Sequence, residues 1–115
     1  MRRGDIITVN LDPARGSEAS KVRSAVVVSN DAANSTAVRL GRGVITVVPV
    51  TSNTGRVYPF QVLLPAAATG LRNDSKAQAE QVRSVALDRI GGQVGRMPQD
   101  LLAELDAALR LHLSL

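Results

Sequence analysis

The stretch Gly43–Thr54, GVITVVPVTSNT, decides the fold. From Val44 it is built of Val, Ile, Thr and one Pro, and it then stops at the polar cluster Thr51, Ser52, Asn53 and Thr54. β-branched residues suit an extended pleated backbone, and a nearly unbroken apolar run implies burial on both faces. The run therefore reads as a central strand that opens onto hydroxyls at its end. Pro49 cannot donate to a ladder, so a bulge or bend is expected there.

Working outward, Gly4–Leu11 (GDIITVNL) reads as a first strand that ends at the turn residues Asp12, Pro13 and Gly16. The polar ARGSEASK after it reads as a loop of the kind that carries function. A second strand is expected from Val22 to Ser29. Ser29, Asn30 and Asp31 are good helix N-caps, so DAANSTA is expected to make one or two helical turns.

Beyond Thr54, Gly55 and Arg56 suggest a turn into YPFQVLLP, a strand alternating Phe60, Val62 and Leu64. The stretch AAATGLRNDS reads as loop and Lys76–Ala86 as a strand, with Gly91, Gly92 and Gly95 around one more short strand. Leu101, Leu102, Leu105, Ala108, Leu109 and Leu113 recur at helical spacing behind Pro98 and Asp100, which marks an amphipathic helix packed on the sheet. The expected fold is one domain over residues 1–115, mainly β with α: a small antiparallel barrel or sandwich with a C-terminal helix.

The chain of 115 residues carries a net charge of +4. Residues 98–115 contribute −2, which leaves +6 on the strand-bearing part. Of the cations, only Lys21 and Lys76 are lysine. Guanidinium suits bidentate phosphate recognition, so a polyanionic partner such as nucleic acid fits, although composition alone fits equally a chain that merely prefers Arg.

With no cysteine, thiol nucleophiles, Cys-ligated zinc and disulfide frameworks are excluded, and a cytoplasmic protein is the simplest expectation. The apolar part of the N-terminal stretch is too short and interrupted for a signal peptide, and no run reaches membrane-spanning length. His112 is the one histidine, set between leucines on the last helix, so paired-histidine chemistry is not available. The carboxylates show no metal-cage spacing, and neither metal nor cofactor is expected. What remains is arginine, hydroxyls and scattered carboxylates, an inventory that favours phosphodiester chemistry over acyl transfer.

Five strings fall in order: RGDII with NLDPARGSE, VRSAVVVSND, VVPVTSN, YPFQVLLPA and AEQVRSV. In that order and spacing the chain resembles the MazF/PemK family of toxin ribonucleases, from about residue 2 to the C-terminal helix. The resemblance implies an SH3-like barrel that forms a homodimer and cuts single-stranded RNA without metal, leaving 2′,3′-cyclic phosphate and 5′-hydroxyl ends. It also implies a cognate antitoxin that covers the basic groove.

Carried over by position, the family's catalytic arginine matches Arg23, its catalytic threonine Thr51, and its acidic residues Glu18 and Glu80. Glu18 is then the first candidate for the base and Glu80 the second. Lys21, Ser52, Asn53, Arg56, Lys76 and Arg83 are the expected RNA contacts. The chain departs from the family pattern at Ser24, where proline is usual, at Ile7, commonly aromatic, and at Val22, where some members carry histidine. Two other readings keep the fold: a toxin resembling CcdB that binds a topoisomerase, and an inactive nucleic-acid-binding domain.

Overall fold

The computed structural model describes residues 1–11 and 22–115. Among the described residues seven strands form one sheet: β1 (Asp5–Asn10), β2 (Val22–Val27), β3 (Val44–Thr51), β4 (Gln61–Leu64), β5 (Ser75–Gln78), β6 (Arg83–Ala86) and β7 (Ile90–Arg96). All the pairings are antiparallel, in the order β4-β5-β3-β2-β1-β7, with β6 also on β3. The helices α1 (Asp31–Leu40), α2 (Ala66–Thr69) and α3 (Gln99–Leu113) accompany them.

The central strand is buried on both faces, as its composition requires. Val48 and Val50 join one apolar cluster with Ile6, Val26, Leu64 and Leu105. Ile45 and Val47 join the other with Ile7, Val9, Ala25 and Ala37. Because side chains alternate along a strand, successive residues of β3 serve opposite cores. Helix α3 covers the first core through Leu105 and Ala108, and α1 covers the second through Ala37.

The expected bulge at Pro49 is absent from β3. Val44–Val47 pair with β6 and Val50–Thr51 pair with β5, so the ladder on that side lapses at Val48 and Pro49. The neighbouring chain breaks there instead: a single 3-10 turn, Ala79–Gln81, separates β5 from β6. Lys76–Ala86 is thus two short strands around a turn, not the one strand its alternation suggests. Ala79 at the turn is fully buried, which explains why small residues interrupt the pattern.

Ladders do not close the sheet into a barrel: among the described residues its end strands, β4 and β7, are not paired with each other. Helix α3 packs where closure would fall. It lays Leu105 and Ala108 into the cluster shared by Val62 and Leu64 of β4, Ile6 of β1 and Met97 just past β7.

Helix α1 outruns the one or two turns expected of its small residues. Asn30 caps it, its side chain accepting from Ala33 N at 2.8 Å, and Gly41 ends it in the left-handed region at φ +66°. Its buried Asn34 is satisfied: Nδ2 donates to Ser29 O at 2.9 Å, and Ser29 Oγ donates to Asn34 Oδ1 at 2.5 Å. Ser29 Oγ also accepts from Thr46 N at 3.1 Å, which ties β2, α1 and β3 together.

The segment after β4 is more ordered than a loop. Pro65 starts the single turn of α2, and Gly70 ends it at φ +81°. The glycines expected around the last strand lie inside it. At Gly95 a Cβ would stand 2.5 Å from Thr69 O, so glycine is what lets α2 lie against β7. In α3 the apolar face runs past the sheet, and Leu113 is exposed. No helix among the described residues is long and apolar enough to cross a membrane.

Candidate active site

Strands β2 and β3 pair at Val27–Val47, Val26–Val48 and Ala25–Pro49. Continued by two places, that register would set Arg23 opposite Thr51. The ladder stops short at Ala25–Pro49, however, while on its other edge β3 passes from β6 to β5, with Val50 on Ala77 and Thr51 on Lys76. The two strands part, and a cleft of about 290 Å³ opens between their ends.

Arg23, Ser24, Thr51 and Ser52 form its strand side. Its other side comes from the segment behind α2: Leu71, Arg72, Asn73 and Ser75. That segment is held in shape locally. Asp74 Oδ1 accepts from Ala66 N at 2.8 Å, Thr69 Oγ1 accepts from Leu71 N at 3.3 Å, and Ser75 Oγ donates to Asn73 O at 2.9 Å.

The electrostatics of the cleft are one-sided. Arg23 and Arg72 line it, and among the described residues it holds no carboxylate. The ion pairs of the described residues, Arg3–Asp106 and Arg96–Asp5, lie elsewhere. Thr51 Oγ1 accepts from Asn53 N at 3.2 Å, which leaves its hydroxyl hydrogen to donate. Two guanidinium groups, four hydroxyls and an amide around one concavity suit a phosphate group.

Arg23 also walls a second cleft of about 300 Å³, with Leu11, Pro49, Gln78, Gln81 and Arg83. Arg83 Nη1 donates to Leu11 O at 3.3 Å and so holds the end of β1. Two polar clefts meeting at one arginine can follow an extended anionic chain.

The structure thus brings together Arg23, Thr51 and Ser52, with Arg83 across the second cleft. Asn53 works as a turn residue, its Oδ1 accepting from Gly55 N at 3.3 Å. Arg56 lies exposed on the segment after β3, its guanidinium 5.0 Å from the centre of the Tyr58 ring.

Two candidates fall away from the clefts. Lys76 is 7% exposed, and its ammonium donates to Arg56 O at 2.5 Å, which takes it off the surface where an RNA contact would need it. Glu80 lines neither cleft. Its Oε2 accepts from Gln61 Nε2 at 2.6 Å, while Oε1 is buried without a partner among the described residues. Glu18 and Lys21 lie outside the described residues.

Arg72 and Asn73 were not singled out by the sequence, because AAATGLRNDS shows no period and no chemical motif. The usable signal is the polar RNDS one residue beyond Gly70, whose left-handed conformation turns the chain back toward β3.

Comparison with known proteins bears on this geometry. Residues 2–113 match the family model described as PemK-like, MazF-like toxin of type II toxin-antitoxin system. Endoribonuclease MazF9 of Mycobacterium tuberculosis is 67% identical over 115 residues, spanning 100% of this chain and 98% of the relative. Endoribonuclease EndoA of Bacillus subtilis is 27% identical over 115 residues, spanning 100% of this chain and 96% of the relative. Among solved structures, a MazE-MazF crystal structure from Deinococcus radiodurans superposes with a TM-score of 0.79 at 31% identity, covering 100% of this chain and 96% of that one.

Proposed function

The chain belongs to the family of PemK-like, MazF-like toxins of type II toxin-antitoxin systems, and from that premise we propose that it is a toxin endoribonuclease that cuts single-stranded RNA at the cleft between β2 and β3. The observation that carries this reading is the convergence of Arg23, Arg72 and Thr51 on one cleft without a carboxylate among its described residues. Relatives named as endoribonucleases favour an enzyme over a toxin that only binds a topoisomerase.

In the proposed reaction the ribose 2′-oxygen attacks the adjacent phosphorus and the bond from phosphorus to the 5′-oxygen breaks. The products are a 2′,3′-cyclic phosphate and a 5′-hydroxyl. The 2′-hydroxyl gives its proton to a base, and the leaving 5′-oxygen takes one up. Arg23 holds the phosphate and stabilises the charge that develops on its oxygens, with Arg72 as a second cation. Thr51 donates to the same phosphate.

The carboxylate role falls to Glu18, since Glu80 is engaged by Gln61. Ser52, Arg56 and Arg83 contact the RNA strand on either side. No step here requires a metal.

The same membership supports a cognate antitoxin as partner, as in the MazE-MazF structure from Deinococcus radiodurans, and a homodimer acting in the cytoplasm. The deciding experiment incubates the purified protein with end-labelled single-stranded RNA in EDTA. Cyclic-phosphate ends from the wild type and none from Arg23→Ala are expected. Binding without cutting by the wild type would overturn the enzymatic reading.

A further inference from the structure

The chain contains one tyrosine, one phenylalanine and no tryptophan. The two aromatic residues are stacked on each other. The rings of Tyr58 and Phe60 lie parallel, 2° apart in plane and 5.3 Å between centres, with the Arg56 guanidinium over the Tyr58 ring. Tyr58 is 40% exposed. A large ring left in water forgoes the burial that such side chains normally gain, so a stack of this kind calls for a partner.

The segment bearing it is pinned by buried polar groups. Gln61 Oε1 accepts from Tyr58 N at 3.1 Å, and Gln61 N donates to Tyr58 O at 2.8 Å. The other end of the Gln61 amide donates to Glu80, and buried Lys76 donates to Arg56 O. Lys76 is also the cross-strand neighbour of Thr51. The stack is therefore held one lysine side chain away from the residue facing Thr51, on the chain segment that leaves the cleft.

We infer that Tyr58 and Arg56 form a platform on which one nucleobase of the RNA strand stacks, next to the phosphate held by Arg23 and Thr51. This inference rests on the endoribonuclease reading above. Every base presents a π face, and aromatic rings and guanidinium planes are the groups on which unpaired bases stack. Arg56 can then carry a base and a neighbouring phosphate at once, while buried Lys76 and Gln61 supply the preorganisation that an exposed loop otherwise lacks.

Because the chain has no tryptophan, Tyr58→Trp creates a single fluorescent reporter at the platform. The probes are a short mixed-sequence 2′-O-methyl RNA, whose blocked 2′-oxygen cannot attack, and an abasic ribose-phosphate chain of the same length. Quenching by the base-bearing strand and not by the abasic one is the expected result. Equal quenching by both, or by neither, overturns the inference.

In a second measurement Tyr58→Ala loses roughly 5- to 100-fold in kcat/KM on cleavable RNA, chiefly through KM, the range expected of one base–aromatic stack. Tyr58→Phe, which keeps the ring, restores most of that loss. A Tyr58→Ala enzyme with unchanged KM also overturns it. Failure of the wild type to cut RNA would instead count against the endoribonuclease reading, which the binding measurement does not need.

Discussion

Arg23 and Thr51 stand two places beyond the last bonded pair of the β2–β3 ladder, on strands that have begun to separate, and they line the same cleft. Their convergence follows from register. Ala25 faces Pro49, and side chains directly across an antiparallel pair share a face of the sheet. The cleft lies where the β2–β3 ladder ends at Ala25–Pro49, while the opposite edge of β3 passes from β6 to β5.

The first prediction concerns this pair. Arg23→Ala should lower single-turnover cleavage by about 10²- to 10³-fold, the usual cost of removing one preorganised donor from a developing oxyanion. As an exposed side chain, its loss should change unfolding free energy by less than about 0.5 kcal/mol. Thr51→Ser keeps the hydroxyl and should keep most of the rate, whereas Thr51→Ala should not. Wild-type cleavage by Arg23→Ala would remove the phosphate role assigned here.

Arg72 gives a second prediction, one that sequence alone did not offer. A cation that neutralises a phosphate of single-stranded RNA contributes about 0.7 to the slope of log affinity against log salt. Arg72→Ala should weaken RNA binding and flatten that slope by about this amount. A titration series in KCl reads it directly. An unchanged slope would mean that Arg72 faces the cleft without meeting the strand.

Much of the fold was legible because its signals are periodic. The unbroken apolar run of β3 required burial on both faces, and the helical spacing from Leu101 to Leu109 required α3. Irregular segments were not legible. The break at Ala79 depends on β3 having two partners in succession, a tertiary fact with no local signature. Gly95 looks like a strand boundary until α2 is seen against it. Residues such as Lys76 show why a site cannot be read from charge alone. The sequence gives its type and its place beside Thr51, while only packing shows that its ammonium is spent on a carbonyl.

That lysine makes the third prediction. Lys76→Met keeps the apolar stem but removes the donor, leaving Arg56 O without its buried partner. The loss should be about 1–3 kcal/mol in urea denaturation, with faster amide exchange across residues 52–60. Weakened RNA binding with unchanged stability and unchanged exchange would show instead that Lys76 acts on the ligand directly.

The glycines of β7 give a fourth, because the same substitution meets three different surroundings in one strand. A Cβ on Gly95 would lie 2.5 Å from the backbone oxygen of Thr69, which cannot move without moving α2. Gly95→Ala should therefore cost about 1–3 kcal/mol, the range of overpacking. It should also raise KM for RNA, since α2 leads directly into Arg72 and Asn73 at the cleft. On Gly91 the obstacle is Thr8 Oγ1 at 2.2 Å, the tip of a side chain that can rotate away from its 3.5 Å contact with Gly92 O, so Gly91→Ala should cost less. At Gly92 a Cβ meets nothing within 4 Å, and alanine there should be close to neutral. Urea denaturation of the three variants, with KM measured on each, tests the order. If Gly95→Ala lost stability with KM unchanged, the packing of α2 on β7 would stand, but its role in presenting Arg72 to the strand would not.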